Sequence, residues 1–222
     1  MKVIFAGTPE ITIETLKSIH ESNHEIALIL TNEDKPSGRG KKLTKPPVKI
    51  FAEVNNIEFK QPAMLKDNLL IDFLKNKEAD LFVVFAYGHL IPEEILKIFK
   101  KGALNIHTSL LPKLRGAAPI QRAIINGDKL TGLTFMKMEK GLDTGPIYRQ
   151  DHIKIDHEET SDSLEKKMSK VSSSKIVEVI DLIAENKLKL ISQNNESATY
   201  APKISREAVS YTHLRAHETV ED

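Results

Sequence analysis

No cysteine and no tryptophan occur among the 222 residues, and aromatic side chains amount to only 5%. Without thiols, disulfides and thiolate metal centres are excluded, which fits a reducing compartment and makes the cytoplasm the expected location. Long apolar runs are missing too. The stretch 81–86 (LFVVFA) falls well short of the roughly 20 residues that a bilayer-crossing helix needs. The opening MKVIFAG turns polar at once, without the longer apolar core and cleavage site of a secretory signal. Neither charge sign dominates, with 32 Lys+Arg against 31 Asp+Glu, and no repeat or low-complexity tract interrupts the chain. These absences leave a protein of the ordinary soluble class, expected to act as a monomer. A chain of this size buries roughly 70% of its unfolded surface, enough for a core without staples.

Hydrophobic patterning then supplies the fold class. Residues 2–6 form a β-rich run closed by Gly7, and Thr8-Pro9-Glu10 reads as an N-cap, a first-turn proline and an acid. Further strands are expected over 25–31, 81–86, 103–107, 132–138 and 147–155. Helices are expected over 68–77, 92–100, 117–126 and 161–186, the last starting at Ser161 or Asp162. Strand and helix alternate, which predicts an α/β fold: a Rossmann-like, open, mostly parallel sheet with helices on both faces.

Residues 35–49 depart from this pattern. They carry Lys35, Arg39, Lys41, Lys42, Lys45 and Lys49 with no acid, and two glycines. The segment reads as an exposed, mobile, cationic loop. Such a loop is most simply a solvated connector, but its length favours a function, and its charge suits a phosphate-rich partner. It is neither a Walker A loop nor a GxGxxG turn.

The residues with chemistry lie further on. Strand side chains alternate, so Asn105 and His107 share one face at the carboxyl end of a parallel strand, where open α/β sheets bind ligands. Taken alone, a histidine there is most simply a cap on a backbone group. The following turn, Ser109-Leu110-Leu111-Pro112 with Arg115-Gly116, is apolar yet loop-like and suits a pocket wall. Asp143 sits between Gly141 and Gly145, and an Asp in a turn ordinarily satisfies its own backbone. Flanking glycines would also let it approach His107.

Taken together, FAGTPE at 5–10, KPSGRGKKLT at 35–44, AYGHLIP at 86–92, NIHTSLLPKLRGAAPIQRAIINGD at 105–128, GLDTGPI at 141–147 and ATYAPKI at 198–204 resemble the methionyl-tRNA formyltransferase family. The SLLP and Asp-loop motifs are shared by the wider folate-dependent formyltransferases, while GRGKKL joined to RGAAPIQRAI is narrower. The resemblance implies a formyltransferase fold over residues 1–208. It implies transfer of the formyl group of 10-formyltetrahydrofolate to the α-amine of initiator methionyl-tRNA. Asn105, His107 and Asp143 are then the catalytic triad. Ser109, Leu110, Leu111, Pro112, Phe85, Ala86, Tyr87, Gly88 and Ile91 then meet the folate. Arg39, Lys41, Lys42, Lys35 and Arg115 meet the tRNA, and no metal or membrane is involved. At position 35 the family commonly has Arg; Lys keeps the charge but not the bidentate fork.

The implied reaction is acyl transfer, so a proton must leave the amine and another must reach the folate nitrogen. An imidazole titrates near neutrality and suits that relay; a carboxylate can orient it, and a carboxamide can donate to the developing oxyanion. Two rivals remain open at this point. One is formyl transfer to a small amine, such as an amino-sugar nucleotide or glycinamide ribonucleotide. The other is a non-catalytic folate- or nucleotide-binding domain.

The end of the chain has a different character. Residues 209–219 (VSYTHLRAHET) resemble the translation of a transposase-type sequencing-library adapter, so 209–222 is expected to be a non-native tail. Residues 198–208 would then begin the linker to the smaller tRNA-binding β-domain that the family carries at its carboxyl end.

Overall fold

The computed structural model describes residues 1–37 and 42–204. Arg39, Lys41 and the adapter-like tail lie outside the described residues. A seven-stranded sheet runs in the order β5-β2-β1-β6-β7-β8-β9. Its strands are β1 (Lys2–Gly7), β2 (Glu25–Leu30), β5 (Phe59–Lys60), β6 (Leu81–Phe85), β7 (Ala103–His107), β8 (Leu130–Lys137) and β9 (Ile147–Lys154). The first five pair in parallel, whereas β8 is antiparallel to both β7 and β9.

Alternation along each strand divides the core in two. Val3 and Phe5 of β1, Val83 of β6 and Leu104 of β7 pack beneath α1 (Ile13–His20), α2 (Pro47–Val54) and α6 (Ser161–Ala184). Ile4, Phe82, Val84 and Ala103 face the other way, toward α3 (Asn68–Asn76) and α4 (Glu93–Leu96). Both faces of the parallel strands are therefore covered, which is why these strands read as continuous apolar runs.

Several boundaries differ from the sequence expectation. Pro9, not Thr8, occupies the N-cap, and it opens a 3₁₀ turn at Glu10–Thr12 before α1 begins. The helix expected over 92–100 is a single turn, α4. Beyond it the chain turns to bring Phe99 into a stacked contact with Phe82, ring centroids 5.1 Å apart. α6 starts at Ser161 as expected, opened by a capping box between Thr160 and Ser163, but ends at Ala184, short of the expected 186.

The largest correction concerns the cationic segment. It is not a plain loop: β3 (Lys35–Ser37) and β4 (Lys42–Thr44) form an antiparallel hairpin, and α2 starts within the expected loop, with Pro47 in its first turn. Lys45 and Lys49 are neutralised locally. Lys45 pairs with Glu53, and Lys49 with Asp34 at 2.7 Å, a carboxylate that also accepts from Gln61. Lys35 and Lys42 remain exposed on the strands.

Candidate active site

The carboxyl ends of β6 and β7 open into a cavity of about 480 Å³. Asn105 lies opposite Val84 in the register and His107 follows two residues on along the same face, and both line the cavity. The expected pair thus enters the cavity side by side. Asp143 arrives from the loop between β8 and β9. Its backbone is left-handed (φ 51°), a conformation that Asp adopts more readily than most side chains. Gly145 lets this loop close: a Cβ there would come within 1.9 Å of the Lys137 carbonyl oxygen.

Four contacts define the geometry. Asn105 Nδ2 donates to Asp143 Oδ1 at 3.4 Å, and the Gly116 amide donates to Asp143 Oδ2 at 2.8 Å. His107 Nε2 lies 2.9 Å from the Leu114 carbonyl oxygen. A carbonyl only accepts, so Nε2 must carry a proton, and in the neutral ring Nδ1 is the basic atom. Nδ1 faces Asp143 Oδ2 at 3.7 Å. The ring is buried and the carboxylate nearly so, and an imidazolium formed here gains an ion-pair partner in a poorly solvated setting.

Phe85, Ala86, Tyr87, Gly88 and Ile91 line the cavity. Burial pushes the Tyr87 phenol up to about 12, so it stays protonated near neutrality. Its hydroxyl has no hydrogen-bond partner among the described residues. An apolar wall and a polar end at Asn105, His107 and Asp143 fit a heteroaromatic one-carbon carrier in size and chemistry.

The remaining expectations fare differently. Ser109, Leu110, Leu111 and Pro112 are absent from the cavity lining and instead build the turn behind it. The Ser109 hydroxyl donates to the Lys113 carbonyl, and Leu111 packs with Met136 and Ile147. Arg115, expected on the tRNA face, is 2% exposed. Its guanidinium points into the protein, donating to Gln193 Oε1 and Asn195 Oδ1, because the chain on both sides of it is tied to residues 199–201. No cluster of three or more metal-ligating side chains occurs among the described residues, and no helix there is long and apolar enough to cross a membrane.

Sequence reasoning missed the backbone groups. The Leu114 carbonyl and Gly116 amide flank Arg115 and carry their function in the main chain, where residue type is silent. Gln193, which donates to the Asp143 and Gly145 carbonyls, lies in a polar stretch without periodicity. A second cavity of about 410 Å³, near Gly102 at the amino end of β7, is lined by Lys100, Lys101, Lys137 and Tyr148 among apolar residues, with no carboxylate or imidazole.

Known proteins place this site in context. The formyl transferase family model matches residues 1–180. The methionyl-tRNA formyltransferase of Agathobacter rectalis is 42% identical over 207 residues, covering 93% of this chain and 67% of that protein. That of Pelagibacter ubique is 45% identical over 206 residues, covering 92% of this chain and 66% of that protein. The chain thus spans about two thirds of the length of these relatives. Among solved structures, the sugar 3N-formyl transferase WlaRD, determined in the presence of dTDP and 5-N-formyl-THF, superposes with a TM-score of 0.69 at 26% identity, covering 91% of this chain and 70% of that one. Glycinamide ribonucleotide transformylase 1 from Symbiobacterium toebii shares the fold, with a TM-score of 0.69 at 21% identity over 86% of this chain and 93% of that one. By the family match, by relatives above 40% identity and by a shared fold, this chain belongs to the formyl transferase family, in the group that holds the methionyl-tRNA formyltransferases.

Proposed function

We propose that residues 1–208 form the catalytic unit of an enzyme that formylates the α-amine of initiator methionyl-tRNA, using 10-formyltetrahydrofolate, in the cytoplasm and as a monomer. The observation that carries this reading is the meeting of Asn105, His107 and Asp143 in one cavity of a formyl transferase. The folate supplies the formyl group, and the wall from Phe85 to Ile91 would hold it. The side chains of this protein do the rest. Nδ1 of His107 takes the proton that the amine must lose and returns it to the folate nitrogen as the bond from that nitrogen to the formyl carbon breaks, while the Leu114 carbonyl keeps the other ring nitrogen protonated. Asp143 stabilises the resulting imidazolium, and the Gly116 amide fixes which oxygen faces it. Asn105 can offer its amide protons to an oxygen gaining negative charge.

Lys35, Lys42 and the intervening Arg39 and Lys41 supply a cationic element suited to a nucleic-acid backbone. A tRNA presents a long row of phosphates to such an element, whereas a sugar nucleotide or glycinamide ribonucleotide carries only its own compact phosphate group, which favours tRNA. The test is a competition: the chain is given 10-formyltetrahydrofolate with methionyl-tRNA, an amino-sugar nucleotide or glycinamide ribonucleotide. Formylation of methionyl-tRNA well above the small amines is expected. Preference for a small amine would overturn the substrate assignment.

A further inference from the structure

We infer that Gln193 is a positioning residue for Asp143, itself fixed by the buried guanidinium of Arg115; the catalytic part of this inference rests on the formyl-transfer reading above.

Gln193 belongs to the segment that follows α6 and returns along the sheet. There Ile191 exchanges two backbone hydrogen bonds with Ile147, at 2.8 and 2.9 Å. The Gln193 carboxamide is used at both ends. Nε2 donates to the Asp143 carbonyl at 2.8 Å and to the Gly145 carbonyl at 2.7 Å. Oε1 accepts from Arg115 Nε at 3.2 Å and Nη2 at 2.7 Å. Turning the amide over would set an oxygen against two carbonyls and an amino group against a guanidinium, so only one orientation satisfies every partner.

Arg115 is held through Nε and Nη2. Nη2 also donates to Asn195 Oδ1 at 2.8 Å, and no carboxylate pairs with it among the described residues. A buried cation is costly to keep, and here it fixes two neutral side chains, Gln193 and Asn195. The residues on either side reach the triad directly: the Leu114 carbonyl meets His107 and the Gly116 amide meets Asp143. One tripeptide therefore contacts the imidazole, the carboxylate and the glutamine behind the carboxylate.

This tripeptide is fastened to residues 199–201. Leu114 N donates to Thr199 Oγ1, Arg115 N to the Thr199 carbonyl, and Ala201 N to the Arg115 carbonyl, at 2.7–2.8 Å. Gly116 adopts φ 115°, and a Cβ there would sit 3.0 Å from the Ala201 oxygen. Residues 191–201 lie beyond the part of the chain that the family model matches, yet they hold the catalytic loop from behind.

The experiment compares the 222-residue chain with Gln193→Ala and Gln193→Glu, alone and combined with Asp143→Ala. Hydrogen exchange at the Gly116 amide reads the position of the Asp143 carboxylate, and single-turnover transfer from 10-formyltetrahydrofolate to methionyl-tRNA reads its consequence. Losing these bonds should speed Gly116 exchange about tenfold, with β1 protection unchanged. It should slow transfer about 10- to 100-fold, with folate affinity kept. In the Asp143→Ala background the same substitutions should change the residual rate less than about twofold, because they act through Asp143. Gln193→Glu keeps the size and the Arg115 contact, so it reads the loss of the two donated bonds even if the alanine variant folds poorly. Unchanged Gly116 exchange in Gln193→Glu, or an equal rate loss without Asp143, would overturn the inference. A wild-type chain without formyl transfer would instead refute the proposed function, and Gly116 exchange would still decide this point.

Discussion

Nδ1 of His107 faces Oδ2 of Asp143 at 3.7 Å, with no proton to share while the ring is neutral, because the Leu114 carbonyl keeps the ring proton on Nε2. The pair becomes attractive only when the imidazole takes up a second proton. A base arranged this way gains stabilisation at the moment it acts.

Replacing His107 by Ala should therefore lower the rate of formyl transfer by about 10²- to 10⁴-fold, the usual range for a positioned acid-base group. Asp143→Asn keeps an oxygen to accept from Gly116 but removes the charge, and should also fall about 100-fold or more. Folate binding, followed by ligand fluorescence, should stay within about twofold in both variants. A rate near wild type in either would mean that protons move by another route.

The cationic hairpin should separate the two substrates. Neutralising Arg39, Lys41 and Lys42 together should raise KM for tRNA and flatten its dependence on salt, because each released phosphate contact removes part of the counterion effect. Folate KM should stay unchanged. Equal losses for both substrates would place the hairpin's role in the fold.

Gly145→Ala places a methyl group where the Lys137 carbonyl already stands. The loop must shift, at a cost of about 1–3 kcal/mol of stability, and Asp143 must move with it. Calorimetry should show the loss of stability, and turnover should fall further than stability alone explains.

Acid lability should report on His24. Burial first, and then the amino-terminal charge, hold this ring below its ordinary pKa of 6.5, with Asp181 pulling the other way. The unfolded chain binds that proton more readily, so the associated stability is complete above about 6.5 and is lost as pH falls through the lower folded value. The melting temperature of the wild type should drop over that window, and His24→Gln should make the drop shallower.

Much of this was legible in the sequence because it depends on side-chain type and period. β7 occupies 103–107 as expected, since Ala103, Leu104 and Ile106 fill two apolar layers and leave Asn105 and His107 at the open end. The cationic hairpin was not legible: its strands pair through backbone groups, and Lys42, Leu43 and Thr44 are all exposed, so no burial pattern marks them. Arg115 was misplaced for a related reason. A cation in a loop reads as solvent-facing until long-range neighbours, here Gln193 and Asn195, bury it.

The most direct test of the account is a single-turnover assay in which wild type and His107→Ala are mixed with 10-formyltetrahydrofolate and methionyl-tRNA, and N-formylmethionyl-tRNA is counted. Rapid product formation by the wild type and a rate at least about 100-fold lower in the variant are expected. Equal rates in the two, with both folded and binding folate, would contradict it.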